Sequence, residues 1–143
     1  MGYTKPSYVT IPFGKAPLTP WVVSTTYLFG DFGIPAVTTT TRHKIIFPLK
    51  GVVRGVYFKQ YCVTAAGSNE AWPMVFRLND TTDTAIDSQS TVGPERIWSN
   101  YTLNIPVVVG DFFEIKSVTP NWGTPPSDGG AMEGYGIVVV EVA

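Results

Sequence analysis

At 143 residues, 44% hydrophobic and only 15% charged, with a formal net charge of −1, the chain is long enough to bury its own core and too apolar to be intrinsically disordered. Its basic residues are scattered from Lys5 to Lys116 without forming a cluster, which argues against nucleic acid as a partner. No apolar run approaches the length that spans a bilayer as a helix, and residues 1–10 lack the apolar centre of a secretory leader, so neither a membrane nor export is expected.

Residues 1–20 carry Pro6, Pro12, Pro17 and Pro20. Proline fixes φ and withholds an amide donor, so this stretch reads as an extended arm and not a helix. Tyr8, Val9, Ile11, Phe13 and Leu18 make the arm apolar. An extended apolar arm is expected to bind something, either its own domain or a neighbouring subunit. Residues 21–143 then read as a single domain. Residues 21–29 are β-branched and aromatic and predict a first core strand. Residues 38–48 predict a second strand and residues 52–63 a long third one. In residues 72–79, Val75 and Arg77 alternate against Met74, Phe76 and Leu78, which predicts a fourth. Residues 80–94 are polar and predict a loop with one short strand at 84–86.

Over residues 97–105, Ile97, Tyr101, Leu103 and Ile105 share one parity and are taken as the buried face; Trp98, Asn100, Thr102 and Asn104 take the other. Gly110-Asp111 supplies a tight turn. Beyond it Phe113 and Ile115 point one way and Glu114 and Lys116 the other, so an antiparallel hairpin is expected. Residues 119–134 form a Gly/Pro loop, and residues 136–142 an apolar terminal strand. No helical window exceeds one turn. About eight short strands separated by turn residues predict an all-β, antiparallel β-sandwich.

The chemistry-bearing residues are few. The single histidine, His43, stands between Arg42 and Lys44, and no elbow motif surrounds any serine, so His43 reads as an exposed strand residue and not a catalytic base. One histidine and one cysteine cannot furnish a zinc site; Cys62 reads as a small core residue. Asn79, Asp80, Asp83 and Asp87 are rich in oxygen but lack calcium-loop spacing, and they read as turn formers. No catalytic residue, metal ligand or cofactor is therefore assigned. Trp98 by its parity, Trp122 by its loop and Tyr135 by its flanking glycines are the candidate exposed aromatic contacts, for a sugar or for another subunit. Sparse charge with seven Tyr, eight Phe and four Trp points to a surface that an assembly covers.

Several segments carry a family resemblance: the Gly-led strand Gly51-Val52-Val53-Arg54-Gly55-Val56-Tyr57, the strand end Phe76-Arg77-Leu78-Asn79-Asp80, the run Val107-Val108-Val109-Gly110-Asp111-Phe112-Phe113-Glu114-Ile115, and the apolar terminal strand. Their order resembles the small jelly-roll domains of tailed-phage virion proteins over roughly the last two thirds of the chain. The resemblance implies a jelly-roll-like fold and a non-enzymatic protein located in the virion. It also implies a homo-oligomer, with a trimer favoured, bound to the major capsid protein or another virion protein. The role it implies is capsid decoration (cement), or alternatively the receptor- or glycan-binding head of a tail fibre or spike.

Overall fold

Between residues 7 and 15 the alternation of the sequence translates directly into a strand. Val9, Ile11 and Phe13 turn inward, while Tyr8, Thr10 and Pro12 turn to solvent. The computed structural model describes residues 5–17, 21–38, 43–62, 70–90, 95–126 and 134–142. Its elements are β1 (Ser7–Lys15), β2 (Thr26–Phe29), β3 (Ile45–Ile46), β4 (Gly51–Tyr61), β5 (Ala71–Leu78), β6 (Thr82–Ser90), β7 (Glu95–Asn100), β8 (Ile105–Val107), β9 (Phe112–Val118) and β10 (Gly134–Val142). No helix occurs among the described residues.

The strands form two antiparallel sheets packed as a β-sandwich. One runs β1-β10-β4-β7, with β8 also on β4; the other runs β2-β9-β5-β6, with β3 also on β9. Because β7 and β8 share the edge of β4, and β2 and β3 share the edge of β9, ten strands fill eight positions. The first strand pairs with the last, and the chain passes repeatedly from sheet to sheet, which is the jelly-roll winding.

The segment expected as a separate arm is therefore part of the sandwich. Ser7–Lys15 is extended, but it pairs with β10 from Ser7↔Val142 to Lys15↔Gly134. Phe13 is fully buried, stacked on Phe58 with ring centroids 5.8 Å apart and edge-on to Phe113 at 6.0 Å. Gly136 lies opposite it, where a Cβ would strike the Phe13 ring and the Tyr57 carbonyl. Val9 and Ile11 pack against the same core from the rim, and Tyr8 is exposed. Leu18 lies outside the described residues.

The expected hairpin around Gly110-Asp111 does not form. β8 pairs with β4 in one sheet (Gly51↔Val107), whereas β9 belongs to the other. The turn between them is a crossover. Asp111 closes it from both ends: its N–H donates to the Val108 carbonyl (3.1 Å) and its Oδ2 accepts the Val108 N–H (2.9 Å). Gly110 supplies the left-handed residue, φ 94°. The adjacent amide and carbonyl of Phe47 anchor the turn to the body, with Gly110 N–H donating to Phe47 and Phe47 N–H to Asp111.

The parity expected for residues 97–105 is also reversed at its start. Arg96 and Trp98 are buried and Ile97 and Tyr101 are exposed. The strand ends at Asn100, whose Oδ1 accepts both the Thr102 N–H and the Thr102 hydroxyl at 2.9 Å. That local turn shifts the phase, so Leu103 and Val107 point inward. Elsewhere, the strand expected over 21–29 narrows to β2, preceded by a turn with Ser24 at φ 49°, and the short strand expected at 84–86 lengthens to the nine residues of β6. Of the strand expected over 38–48, only Ile45–Ile46 is a strand among the described residues.

Phe13→Ala is expected to lower unfolding free energy by about 3–5 kcal/mol in urea titrations, through lost transfer energy and an unfilled cavity. Tyr8→Ala, one register position from the strand end, should change it by no more than about 0.5 kcal/mol. Equal effects of the two would detach β1 from the core.

Candidate functional site

The tryptophans expected to be exposed hold the two sheets together instead. Trp98 on β7 is fully buried and Trp122 is 4% exposed. Both meet Trp72 of β5 edge-on, at 5.2 and 5.0 Å, and Trp21 meets it at 5.1 Å. Trp98 Nε1 donates to the Trp72 carbonyl (2.7 Å), and Trp72 Nε1 donates to Ser117 Oγ (2.8 Å), which donates on to the Pro73 carbonyl (2.7 Å). Trp72 and Trp98 thus bury their rings without stranding their N–H groups, whereas Trp122 Nε1 is buried without an acceptor. Arg96 lies over the Trp72 ring at 5.6 Å and Lys15 over Trp21 at 4.8 Å, two buried cations set on aromatic faces. Cys62 is buried beside Arg96. A glycan-stacking platform built on Trp98 and Trp122 is therefore absent; of the three candidate aromatics, only Tyr135 is exposed.

His43, expected on the surface, is fully buried. Its Nδ1 accepts the Asp31 N–H (2.9 Å), so its Nε2 carries the proton that reaches the Pro35 carbonyl (2.8 Å). The neutral ring ties the loop after β2 to the approach of β3. This is a structural clasp that sequence position between two cations did not disclose. No cleft opens on the described surface, and the described residues gather no trio of His, Cys, Asp or Glu side chains suited to a metal ion.

What distinguishes the molecule is the contrast between its two outer faces. On the sheet β1-β10-β4-β7 the register sets Tyr135 between Gly14 and Lys59, with Ile97 beyond Lys59. The next row runs Pro12, Ile137, Tyr57 and Ser99. The row after it holds Thr10, Val139 and Gly55, with the Tyr101 ring lying against Gly55. The charges on this face are already paired toward its ends: Arg54 with Glu141 at 2.7 Å, and Lys59 with Glu95 at 3.4 Å. Between them lies an uncharged band of aromatic and aliphatic side chains. Apart from Tyr8 and Tyr135, the residues of this band were not anticipated. Their signal was in the sequence, since Ile137-Val138-Val139-Val140 is apolar in both parities, and a strand that is greasy on both faces expects cover on both.

The outer face of β2-β9-β5-β6 carries a row of charges through its middle, with Ile46 and Val118 exposed beside it. Lys116 contacts Asp83 at 2.8 Å and Lys44 contacts Asp80 at 3.3 Å. Asp80 and Asp83, read from the sequence as turn residues, thus bind cationic side chains; Asn79 and Asp80 do form the turn after β5, both with positive φ. Asp87 accepts from Ser88 N–H and Gln89 Nε2.

No family model and no curated protein matches this sequence. Among solved structures, a chain from the structure of infectious bursal disease virus Gx strain is similar, at 12% identity and a TM-score of 0.37. The alignment covers 97% of this chain and 37% of that one, so the protein spans little more than a third of its neighbour's length.

Because all four tryptophans are buried, their emission should be weakly quenched by acrylamide in the native state and strongly quenched in urea, and soluble oligosaccharides should leave it unshifted. Ser117→Ala, which leaves the Trp72 N–H without its acceptor, is expected to cost about 1–3 kcal/mol in a denaturation experiment.

Proposed function

We propose that the chain is a non-enzymatic structural protein of a virion, most specifically a capsid decoration (cement) protein of a tailed phage. In this reading it assembles with its own copies, as a trimer, and seats on the major capsid protein without any cofactor. The observation that carries the proposal is the uncharged aromatic and aliphatic band on the solvent side of β1-β10-β4-β7, opposed to a charged surface on the other sheet. A sandwich with its core closed has no internal use for a second apolar face; a partner does. A standard interface of roughly 800 Å² per partner gives on the order of 20 kcal/mol of gross apolar burial, before about 4–15 kcal/mol of association cost.

Replacing exposed Ile97 and Tyr135 together by lysine tests the surface. The native chain should sediment as an oligomer and bind purified phage capsids that lack their decoration. The double variant should lose both properties with its urea midpoint unchanged. A native chain that stays monomeric at high micromolar concentration and ignores capsids would end the proposal.

A further inference from the structure

A row of alternating charge crosses the outer face of the second sheet. Arg77 on β5 pairs in register with Glu114 on β9 and with Asp83 on β6. Lys44 stands one residue before the Ile45↔Phe113 pair, on the other side of Glu114. The signs run plus, minus, plus, minus, yet the central carboxylate is not the one the cations bind. Arg77 Nη2 donates to the Asp80 carbonyl (2.7 Å), and its Nε lies 3.8 Å from Asp83. Lys44 contacts Asp80 Oδ2 and rests on the Phe112 ring at 4.5 Å; Lys116 is taken by Asp83. Glu114 is fully buried, and neither of its carboxyl oxygens has a hydrogen-bond donor. Oδ1 of Asp80 is buried without a donor as well.

The turn after β5 sets Asp80 in this position. Asn79 and Asp80 both take left-handed backbone, φ 52° and 59°. The Asn79 N–H donates to the Phe112 carbonyl (2.9 Å), its Oδ1 accepts the Phe112 N–H (3.0 Å), and its Nδ2 donates to Asp111 Oδ1 (3.1 Å). The turn is thereby bolted to the crossover and held against β9. An ionised carboxylate buried without a donor is costly, and two facing each other more so. A single proton removes the conflict.

We infer that Glu114 and Asp80 share one proton, Glu114 donating its O–H to Asp80, and that this pair is a pH-operated latch holding the turn at residues 78–82 against β9. Burial, followed by the Asp80 charge, pushes the Glu114 carboxyl up to about 7, with Lys44 and Arg77 pulling the other way. The folded state then keeps a proton that the unfolded chain loses near the ordinary carboxylate value. The latch is fully closed below that value, its stabilisation falls as pH rises toward 7, and it is spent above. Above 7 the two carboxylates repel and the turn is held to β9 by the Asn79 hydrogen bonds alone, so it opens more often, while the sandwich core, on the other face of the sheet, remains.

Carboxyl ¹³C NMR of the native protein should show Glu114 titrating near 7, and hydrogen exchange at Asn79 and Thr81 should rise through the same range beyond the intrinsic pH effect. The near-isosteric Glu114→Gln variant should match the native melting temperature at pH 5 and exceed it at pH 8, by on the order of 5 °C. Asp80→Asn should return Glu114 toward an ordinary carboxylate titration. Glu114 titrating in the ordinary range, or native and Glu114→Gln stability curves that run parallel from pH 5 to 8, would overturn the inference. So would calcium that raises the melting temperature of the native protein at pH 8 but not that of Glu114→Gln, because a cation, and not a proton, would then occupy the pair.

Discussion

The structure depends on a continuous set of aromatic rings clamped between two sheets. Phe13, Phe58 and Trp98 come from one sheet, Trp72, Phe76 and Phe113 from the other, and adjacent rings stack or meet edge-on at 5.2 to 6.0 Å. Such rings bury a large area with few rotatable bonds, so ordering them costs little side-chain entropy for the surface removed from water. The Trp98 indole hydrogen bond to the Trp72 backbone crosses between the sheets, and the Trp72 bond to Ser117 holds that indole within its own sheet. Everything outside this layer is placed by it, including the apolar outer face of one sheet and the charged row of the other.

The asymmetry of those outer faces follows from how the chain winds. β10 and β4 occupy the middle of their sheet, between β1 and β7, and their outward residues include Ile137, Val139 and Tyr57 between the paired charges Arg54, Lys59 and Glu141. β9 and β5 occupy the middle of the other sheet, and there the outward residues include Lys116, Glu114 and Arg77 as well as Val75 and Val118. Central strands cannot turn away from solvent at an edge, so each must be matched either to water or to a partner. The second sheet is matched to water by ion pairs among Lys44, Arg77, Asp80, Asp83 and Lys116. The first carries ion pairs only toward its ends, Arg54 with Glu141 and Lys59 with Glu95, and leaves apolar side chains between them; the proposed assembly rests on that surface.

Much of the fold was legible in the sequence because a period of two is a local signal. The positions of β4, β5, β9 and β10 and the two-layer, all-strand class followed from it. Pairing partners did not, because they are set by distant residues. Val107 and Phe112 flank a turn whose chemistry suits a hairpin, but each finds its ladder in a different sheet. Likewise Pro12 made residues 7–15 look like an arm outside the sandwich, when an edge position is where a sheet tolerates a missing amide. Trp98 was misassigned because the side chain of Asn100 resets the phase two residues later, and no count of parity across that turn could detect it. Of the aromatic contacts sought, Tyr135 is exposed, but because it lies within β10 and not in a turn beside it, whereas Trp122 sits in a loop, where no period applies.

Pairing residue 7 with residue 142 sets the order in which the molecule can be built. β1 is synthesised early and its edge of the sheet does not exist until β10 is complete, so the central strand of that sheet arrives last. Closure between such distant segments is slow, because chain entropy is spent before any contact repays it. Until then β4 lacks a neighbour and Phe13 and Phe58 lack each other, leaving greasy strand edges open to other unfinished chains. The chain would therefore fold in highest yield where nascent copies are kept apart until residues 134–142 have emerged.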